Sequence, residues 1–344
     1  MAVLTVNGVT YTVTENISLM SFLRDTLRLT SVKNGCNEGA CGTCTVLIDG
    51  KAVKACVQKT DKLDGKSILT TEGLSDKERA IYVYAFSKAG AVQCGFCIPG
   101  MVICAKALLD RNPNPTRDDV KSAIKNNLCR CTGYKKIEEA ILLAAEMFRN
   151  GAVPERPVDT GILGESTVRV DAEAKITGTA MYADDYYMEN MLYGSALRSE
   201  YPRAKILSID TSEAEKINGV ACVMTAKDIP GAQKVGHLKR DWDVLIPVGK
   251  TTHYLGDAIV IIAAETPEIL ETAKKAVKVQ YKPLQAVFSP EEAMAENAPS
   301  VHEDGNLLAY EHLVRGNADD IISKSKHKVT YHYSVPFTEH AFME

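Results

Sequence analysis

Eight of the ten cysteines form two sets of four in the N-terminal part of the chain, with spacing that suits metal ligation. The first set reads Cys36-x4-Cys41-x2-Cys44-x11-Cys56. Three ligands in one short loop, with a fourth from farther along the chain, is the plant-type spacing of a 2Fe-2S site. The loop sequence GCNEGACGTC also supplies glycines that let the backbone wrap closely around an inorganic core. The first set is therefore predicted to bind a 2Fe-2S cluster.

The second set consists of two close pairs, Cys94-x2-Cys97 and Cys129-x-Cys131, separated by a stretch of helical character. Thr116 followed by an acidic residue three positions later predicts a helix start between the pairs. Residues 76–90 form a helical candidate upstream, and an apolar stripe at helical spacing runs from Tyr134 to Phe148 downstream. We expect a four-helix domain with this set at the helix ends, where unpaired N–H groups favour an anionic metal site.

Two cysteine pairs could instead hold one structural zinc ion. Cys-x-Cys is tighter than the usual zinc-finger spacing, and zinc would not explain the glycine-rich loop of the first set. Two 2Fe-2S clusters are therefore the favoured prediction. Cys104 and Cys222 remain; each lies in an apolar run and is interpreted as a small core residue.

Composition excludes several classes of partner. The chain has 344 residues, 45% hydrophobic and 24% charged, which at about 150 residues per domain predicts two to three domains. A formal charge of -4, with no long basic run, argues against binding to nucleic acid or to a membrane surface. The N-terminus lacks the pattern of an export signal, so we expect a cytoplasmic protein.

Short-range patterns predict the elements that carry the first set. An Asn7-Gly8 turn with alternating apolar residues after it predicts a hairpin, and Ser18 can cap a helix whose leucines share one face. TVLI, Asp49-Gly50 and AVKACV predict a second hairpin, with Cys56 on its returning strand. These elements form a small mixed domain.

The C-terminal half predicts a compact α/β domain. AIVIIAA, a helix beginning at Thr266-Pro267, and VKVQY form one strand-helix-strand unit, and RAKILSID, EAEKING and VACVMT form another. No nucleophile-base pair, phosphate loop or HExxH motif occurs in the sequence. Adjacent Asp184 and Asp185 are interpreted as a turn after a strand. The histidines at 237, 253, 302, 312, 327, 332 and 340 show no metal-site spacing and are interpreted as surface or packing residues.

The cysteine motifs resemble those of a known family. GCNEGACGTCTVLIDG, QCGFCIPGM and NNLCRCTGY resemble the iron-sulfur region of the molybdenum hydroxylases, which include xanthine dehydrogenases and aldehyde oxidoreductases. KITGTAMYADD, HYLGDAIVIIAAETPE and AVKVQYKPLQAV extend the resemblance into the family's molybdenum portion. Asn37 and Ile98 depart from the residues that many relatives have, but neither change removes a ligand.

The resemblance implies an α+β multidomain fold. Its expected parts are a β-grasp ferredoxin-like 2Fe-2S domain (1–75), a helical 2Fe-2S domain (76–151), a linker (152–165), an α/β hammerhead-like domain (166–285) and the start of a molybdopterin-binding domain (286–344). Only GAVPERPVDTGILGE separates the iron-sulfur part from the molybdenum-like pattern, so no flavin domain fits between them. This arrangement resembles the bacterial aldehyde oxidoreductases.

The resemblance also implies a function. We expect a molybdenum-dependent oxidoreductase that oxidises an aldehyde, or hydroxylates a purine or N-heterocycle such as xanthine, with water as the oxygen source. Electrons would pass from molybdopterin through both clusters to an external acceptor, such as a flavin subunit, a flavodoxin or a ferredoxin-like protein. Gln93 occupies the family position that approaches molybdopterin. A homodimer is a further expectation.

The sequence stops at HAFME, where relatives continue with most of the pterin contacts and the general base. The resemblance therefore predicts no catalytic residue in this chain and no activity from it alone. The alternative is a stand-alone two-cluster electron carrier. A stand-alone carrier would not require the long segment after residue 160 that resembles the start of a substrate domain. The presence of this segment favours the enzyme.

Overall fold

The computed structural model describes residues 1–151, 161–164 and 167–336, which divide into two compact units. Unit 1 runs from Met1 to Tyr186 and includes the described residues 334–336, and unit 2 runs from Tyr187 to Tyr333. Of the predicted linker, only residues 161–164 are among the described residues. His340 and the terminal HAFME lie outside them.

A five-stranded mixed sheet forms the first part of unit 1. Its strands are β1 (Ala2–Val6), β2 (Val9–Val13), β3 (Thr45–Ile48), β4 (Lys51–Lys54) and β5 (Ser67–Leu69), in the order β2-β1-β5-β3-β4. β1 and β5 are parallel, and the other neighbours are antiparallel. The two predicted hairpins are confirmed: Asn7-Gly8 and Asp49-Gly50 both have positive φ at each residue, as tight hairpin turns require.

A short helix, α1 (Leu19–Ser21), continues as a wider turn to Thr26 and covers the sheet. Ser18 caps it as predicted, because its side chain accepts a hydrogen bond from the Ser21 N–H. Leu19 and Leu23 are fully buried in the core of the sheet. Burial of each such side chain contributes about 1.5–3 kcal/mol.

The expected position of Cys56 is wrong by one turn. Cys56 lies in the 3-10 turn Ala55–Val57 that follows β4, not on the strand. The Ala55 N–H donates to the carbonyl oxygen of Cys44 at 3.1 Å, which bends the chain off the sheet beside the ligand loop.

The predicted four helices form the rest of the core of unit 1. They are α2 (Asp76–Lys88), α3 (Ile98–Arg111), α4 (Arg117–Ile124) and α5 (Lys135–Asn150), followed by the short helix α6 (Ala172–Thr177). Thr116 caps α4 in the predicted capping box with Asp119. Ile81, Met101 and Ile141 are fully buried between the helices.

Unit 2 is a separate α/β arrangement. Its main strands are β6 (Tyr193–Arg198), β7 (Ala204–Asp210), β8 (Val220–Met224), β11 (Ala258–Ala264) and β12 (Lys278–Pro283), with a small pair β9 (Lys234–Val235) and β10 (Trp242–Asp243). Its helices are α7 (Ser212–Glu215), α8 (Pro267–Ala276), α9 (Pro290–Met294) and α10 (Ala318–Lys324).

The two predicted strand-helix-strand units are present, and each strand of one unit pairs with a strand of the other. β7 pairs with β12, and β8 pairs with β11, both antiparallel. Each unit therefore contributes one strand to each of two sheets, β6-β11-β8 and β12-β7. Thr266 caps α8 as predicted, and Leu270 on α8 packs into the shared core.

The two left-over cysteines differ. Cys104 on α3 is buried, as expected for a core residue. The same interpretation of Cys222 is wrong, because its side chain is exposed. Among the described strands β8 pairs with β11 alone and lies at the edge of the sheet, so an apolar sequence around it does not bury every residue. No helix of the described residues is long and apolar enough to cross a membrane.

Candidate metal centres

The first cysteine set is brought together by one loop and one turn. Cys36, Cys41 and Cys44 lie in the loop before β3, and Cys56 approaches from the turn after β4. The thiols lie close enough to act on one another, since the Cys41 side chain contributes to the lowered pKa of Cys36 and Cys56 contributes to the raised pKa of Cys44. The Cys41 N–H also donates to the Cys36 sulfur at 3.3 Å. Positive φ at Gly42 allows the tight loop.

The loop backbone favours a thiolate at one end of this set. Partial burial raises the pKa of Cys36, but N–H donors from Cys41, Glu38 and Ala40 outweigh it and lower the pKa to about 7. Burial raises the pKa of Cys44 to about 12. Both thiols can become metal-bound thiolates, because a bound cation offsets the cost of burying the charge.

The second set lies at the starts of two helices. Cys94 and Cys97 immediately precede α3, and Cys129 and Cys131 lie between α4 and α5. Here the sulfurs of Cys94 and Cys131 are 3.5 Å apart, and Cys97 and Cys129 act on each other's pKa. Cys97 is the N-cap of α3, so it lies at the positive end of a helix dipole.

Tyr134 positions this second set in a way that the sequence did not indicate. The Cys129 N–H donates to the Tyr134 hydroxyl oxygen at 2.9 Å, and that hydroxyl donates to the Asn127 carbonyl at 3.1 Å. Tyr134 has a positive φ of 68° at the start of α5. In the sequence it was only the first member of an apolar stripe.

Cys97 and Cys129 have opposite pKa shifts. The hydrogen bond with Cys97 lowers the pKa of Cys129 to about 5, with Thr132 as a further donor. The same bond and burial raise the pKa of Cys97 far above its usual range. A metal ion bound by both sulfurs would replace their protons.

The two sets of thiols fit two binuclear clusters. A tetrahedral metal with metal–sulfur bonds of about 2.3 Å holds two thiolate sulfurs about 3.8 Å apart, close to the separation of Cys94 and Cys131. A 2Fe-2S cluster with four cysteines uses two thiolates on each iron, so each set supplies the number of ligands that one cluster needs. Within the described residues, no group of three or more His, Cys, Asp or Glu side chains is arranged to hold one metal ion.

The two sets are joined directly through the main chain. The Leu128 N–H, next to Cys129, donates to the carbonyl oxygen of Cys41 at 2.7 Å. A Cβ atom on Gly42 would lie 2.3 Å from the Asn126 carbonyl oxygen, so only glycine permits this approach. The glycines were visible in the sequence, but the pairing of the two loops was not.

Asn127 and Cys104 support this junction. The buried Asn127 amide donates to the Gly42 carbonyl at 2.9 Å, and Cys104 donates its S–H to the Asn127 side-chain oxygen at 3.1 Å. Burial raises the pKa of Cys104 to about 11, which keeps it a neutral donor. Cys104 is thus a core residue with a hydrogen-bonding role.

A buried ion-pair network lies in the same unit. Asp185 receives hydrogen bonds from Arg24 at 3.0 Å and from Lys33 at 2.6 Å, and both Asp185 and Lys33 are almost fully buried. Burial lowers the pKa of Lys33, partly offset by Asp185. Asp184 also pairs with Arg24 at 3.0 Å. The two aspartates do lie in a turn, the 3-10 turn Ala183–Asp185, but no strand directly precedes it among the described residues, and Asp185 is in addition a buried counter-ion.

The remaining predicted residues take varied positions. Gln93 has an exposed side chain, and its carbonyl oxygen accepts a hydrogen bond from Lys175 at 3.1 Å. In unit 2, His253 and His302 stack with ring centroids 4.8 Å apart. His302 lies 3.2 Å from Asp241. These two histidines are packing partners.

Comparison with known proteins matches three parts of the chain to family models. Residues 7–83 match a 2Fe-2S iron-sulfur cluster binding domain, and residues 70–142 match a second 2Fe-2S binding domain. Residues 177–285 match the a/b hammerhead domain of aldehyde oxidase and xanthine dehydrogenase.

Relatives extend these matches over most of the chain. Aldehyde oxidoreductase of Megalodesulfovibrio gigas is 38% identical over 340 residues, which cover 91% of this chain and 37% of that protein. Nicotinate dehydrogenase small FeS subunit of Eubacterium barkeri is 47% identical over 136 residues, 39% of this chain and 87% of that subunit. The solved structure of aldehyde oxidoreductase from Desulfovibrio gigas matches with a TM-score of 0.81 at 34% identity, over 88% of this chain and 36% of that chain.

This chain thus spans little more than a third of the length of the aldehyde oxidoreductases that it matches. The single alignment with the first of these runs through both iron-sulfur domains and the hammerhead domain. The chain belongs to the molybdenum hydroxylase family of aldehyde oxidoreductases and xanthine dehydrogenases, and it contains the two 2Fe-2S binding domains and the hammerhead domain of that family.

Proposed function

We propose that this chain holds one 2Fe-2S cluster on Cys36, Cys41, Cys44 and Cys56, and a second on Cys94, Cys97, Cys129 and Cys131. The observation that carries the proposal is that the fold gathers each set of four cysteines at one place, with the sulfurs of Cys94 and Cys131 3.5 Å apart in one set and the Cys41 N–H on the Cys36 sulfur in the other. When bound, such clusters accept and release electrons one at a time. The protein's part is to set their distance, hydrogen bonds and burial.

We further propose that the chain is the electron-transfer portion of a molybdenum hydroxylase. Its substrate would be an aldehyde or an N-heterocycle such as a purine, with water supplying the oxygen. An aldehyde and nicotinate are the substrate classes named for two of its relatives. We also propose the domain bounds and the cytoplasmic location that the sequence predicts.

The proposed order of electron transfer is from molybdopterin to the second cysteine set, then to the first set, and out to an external acceptor. Exposed Gln93, beside Cys94, is the proposed contact with the pterin. The hydrogen bond from the Leu128 N–H to the Cys41 carbonyl supports transfer from the second set to the first, because it links the main chains of the two ligand loops directly. Exposed Gly35 and Glu38 favour the first loop as the exit.

Metal analysis of anaerobically purified protein tests the proposal. About four iron and four acid-labile sulfide per chain are expected, with two distinguishable EPR signals on reduction. A zinc-containing, colourless protein without labile sulfide would reject the two-cluster site. Appearance of both signals on addition of substrate to the full-length, molybdenum-loaded enzyme tests the enzyme assignment separately, since a stand-alone carrier would show none.

A further inference from the structure

The segment Asp171–Tyr186, named here the strap, is anchored in unit 1 at both ends. Its helix α6 buries Ala172 and Ile176 in the core of the four-helix part. Its other end buries Asp185 between Arg24 and Lys33. The hammerhead family model begins at residue 177, inside the strap, yet the strap packs with the iron-sulfur domains. The strap is therefore a fixed part of the unit that carries both cysteine sets.

Between these anchors, two strap side chains hold consecutive carbonyls of the second ligand loop. The Lys175 ammonium donates to the Gln93 carbonyl at 3.1 Å. The Tyr182 hydroxyl donates to the Cys94 carbonyl at 2.7 Å. The backbone on both sides of the Cys94 amide is thus fixed by donors from a distant part of the sequence.

Apolar contacts extend this clamp along the loop. A Cβ atom on Gly95 would lie 2.7 Å from carbon atoms of the Lys175 side chain, and Gly95 has a φ of +90°. The Phe96 ring meets the Tyr182 ring edge to face, with centroids 5.1 Å apart. The loop from Gln93 to Phe96 therefore has strap atoms against each of its residues.

One strap side chain, Lys175, places its ammonium group on this loop. The Lys175 side chain is only 15% exposed and forms an ion pair with Asp171 at 2.8 Å. The Lys33 ammonium lies 4.7 Å from the centroid of the Tyr182 ring. Reduction of a cluster adds negative charge, so nearby donors and cations stabilise the reduced state more than the oxidised state.

We propose that Lys175 and Tyr182 are positioning residues that fix the Cys94 ligand loop and raise the reduction potential of the second cluster. This inference rests on the proposed function, because it requires a cluster on the second cysteine set. It assigns the strap to the redox site although the strap lies beyond the iron-sulfur family matches, which end at residue 142.

The test is an EPR-monitored redox titration of the full, cluster-loaded chain. Lys175→Met keeps the aliphatic stem over Gly95 but removes the ammonium, and Tyr182→Phe removes only the hydroxyl. At the wild-type midpoint, each variant is expected to lower the ratio of reduced to oxidised second cluster by about three- to tenfold, the equivalent of one hydrogen bond. The first cluster supplies an internal reference whose midpoint stays unchanged.

Two matched variants separate redox tuning from structural damage. Lys175→Arg retains a cationic donor and is expected to restore the wild-type ratio. Lys121→Met removes a lysine charge from the surface of α4, where the side chain is 55% exposed, and should have no effect. Amide hydrogen exchange at Gln93–Cys97 should accelerate in Tyr182→Phe, independently of the potential.

The outcomes distinguish this inference from the proposed function. Wild-type protein without iron and sulfide would reject the proposed function itself. A normal iron content with unchanged second-cluster potential in both Lys175→Met and Tyr182→Phe would overturn the inference alone. Loss of cluster occupancy, with an unshifted potential for the clusters that remain, would also overturn it, because a purely structural role gives that result.

Discussion

The carbonyl oxygen of Cys41 accepts a 2.7 Å hydrogen bond from the N–H of Leu128, the residue before Cys129. Cys41 and Cys129 belong to different cysteine sets, on different domains of the iron-sulfur unit. Their ligand loops are therefore in main-chain contact, with no side chain between them. The geometry of this junction depends on residues that themselves bind no metal.

Gly42→Ala should disrupt this junction. The new Cβ atom would lie 2.3 Å from the Asn126 carbonyl, and the backbone must also keep a φ of +74°. We expect overpacking to lower the free energy of unfolding by about 1–3 kcal/mol beyond the backbone cost. Denaturant unfolding of the anaerobic protein measures the loss, and flash reduction measures slower transfer between clusters.

Gly65→Ala is the matched control for this substitution. Gly65 has nearly the same φ, +71°, but a Cβ atom there meets nothing within 4 Å. It therefore incurs the backbone cost of about 1–2 kcal/mol without the overlap. Equal losses in the two variants would contradict the close approach of the two loops at Gly42.

The proposed ligands and the left-over cysteines should separate by iron content. Cys44→Ala or Cys129→Ala removes one proposed ligand, and each should lower iron from about four to about two per chain. Cys104→Ala should leave iron unchanged, because Cys104 donates to Asn127 rather than to another thiol. Exposed Cys222→Ala should also leave it unchanged. Iron loss in Cys104→Ala would contradict the ligand assignment.

Local patterns in the sequence were enough to predict the elements that carry the site. Capping by Ser18 and Thr116, the two Asx-Gly hairpin turns and the spacing of the cysteines all depend on residues that are near neighbours in the chain. Cys56 was misplaced by a single turn because a 3-10 turn has little sequence signal of its own.

Contacts between distant segments could not be predicted in this way. Asp185 is 161 residues from Arg24, and no period or spacing connects them. An acidic pair in a polar sequence is usually a solvated turn, and only tertiary packing makes Asp185 a buried counter-ion. For Cys222, an apolar sequence predicted burial, but a strand at the edge of a sheet has fewer neighbours to cover it.

Asp185→Asn should strongly destabilise the iron-sulfur unit. It leaves Arg24 and Lys33 buried without their shared counter-ion, and breaking a buried ion pair costs about 3–5 kcal/mol. Asp184→Asn is the matched variant, since Asp184 also pairs with Arg24 but has a side chain that is 58% exposed. Its loss should be about 0–1 kcal/mol. Equal unfolding midpoints for the two variants would show that the Asp185 network does not stabilise the fold.

The last prediction concerns the order of the two sites in the full-length, molybdenum-loaded enzyme. Glu38 is exposed on the first ligand loop, so Glu38→Gln should change the salt dependence of reduction of an external acceptor, while substrate still reduces both clusters at the normal rate. Asp118→Asn, which removes a carboxylate whose side chain is 93% exposed on α4, is the control and should change neither step.

Gln93→Ala should have the reverse effect to Glu38→Gln, slowing substrate-driven reduction of the clusters and leaving the acceptor step intact. Rapid mixing followed by freeze-quench EPR resolves the two steps. Reduction of the first cluster by substrate in a Cys129→Ala variant that lacks the second cluster would refute the proposed order, because electrons would then reach the first site without passing the second.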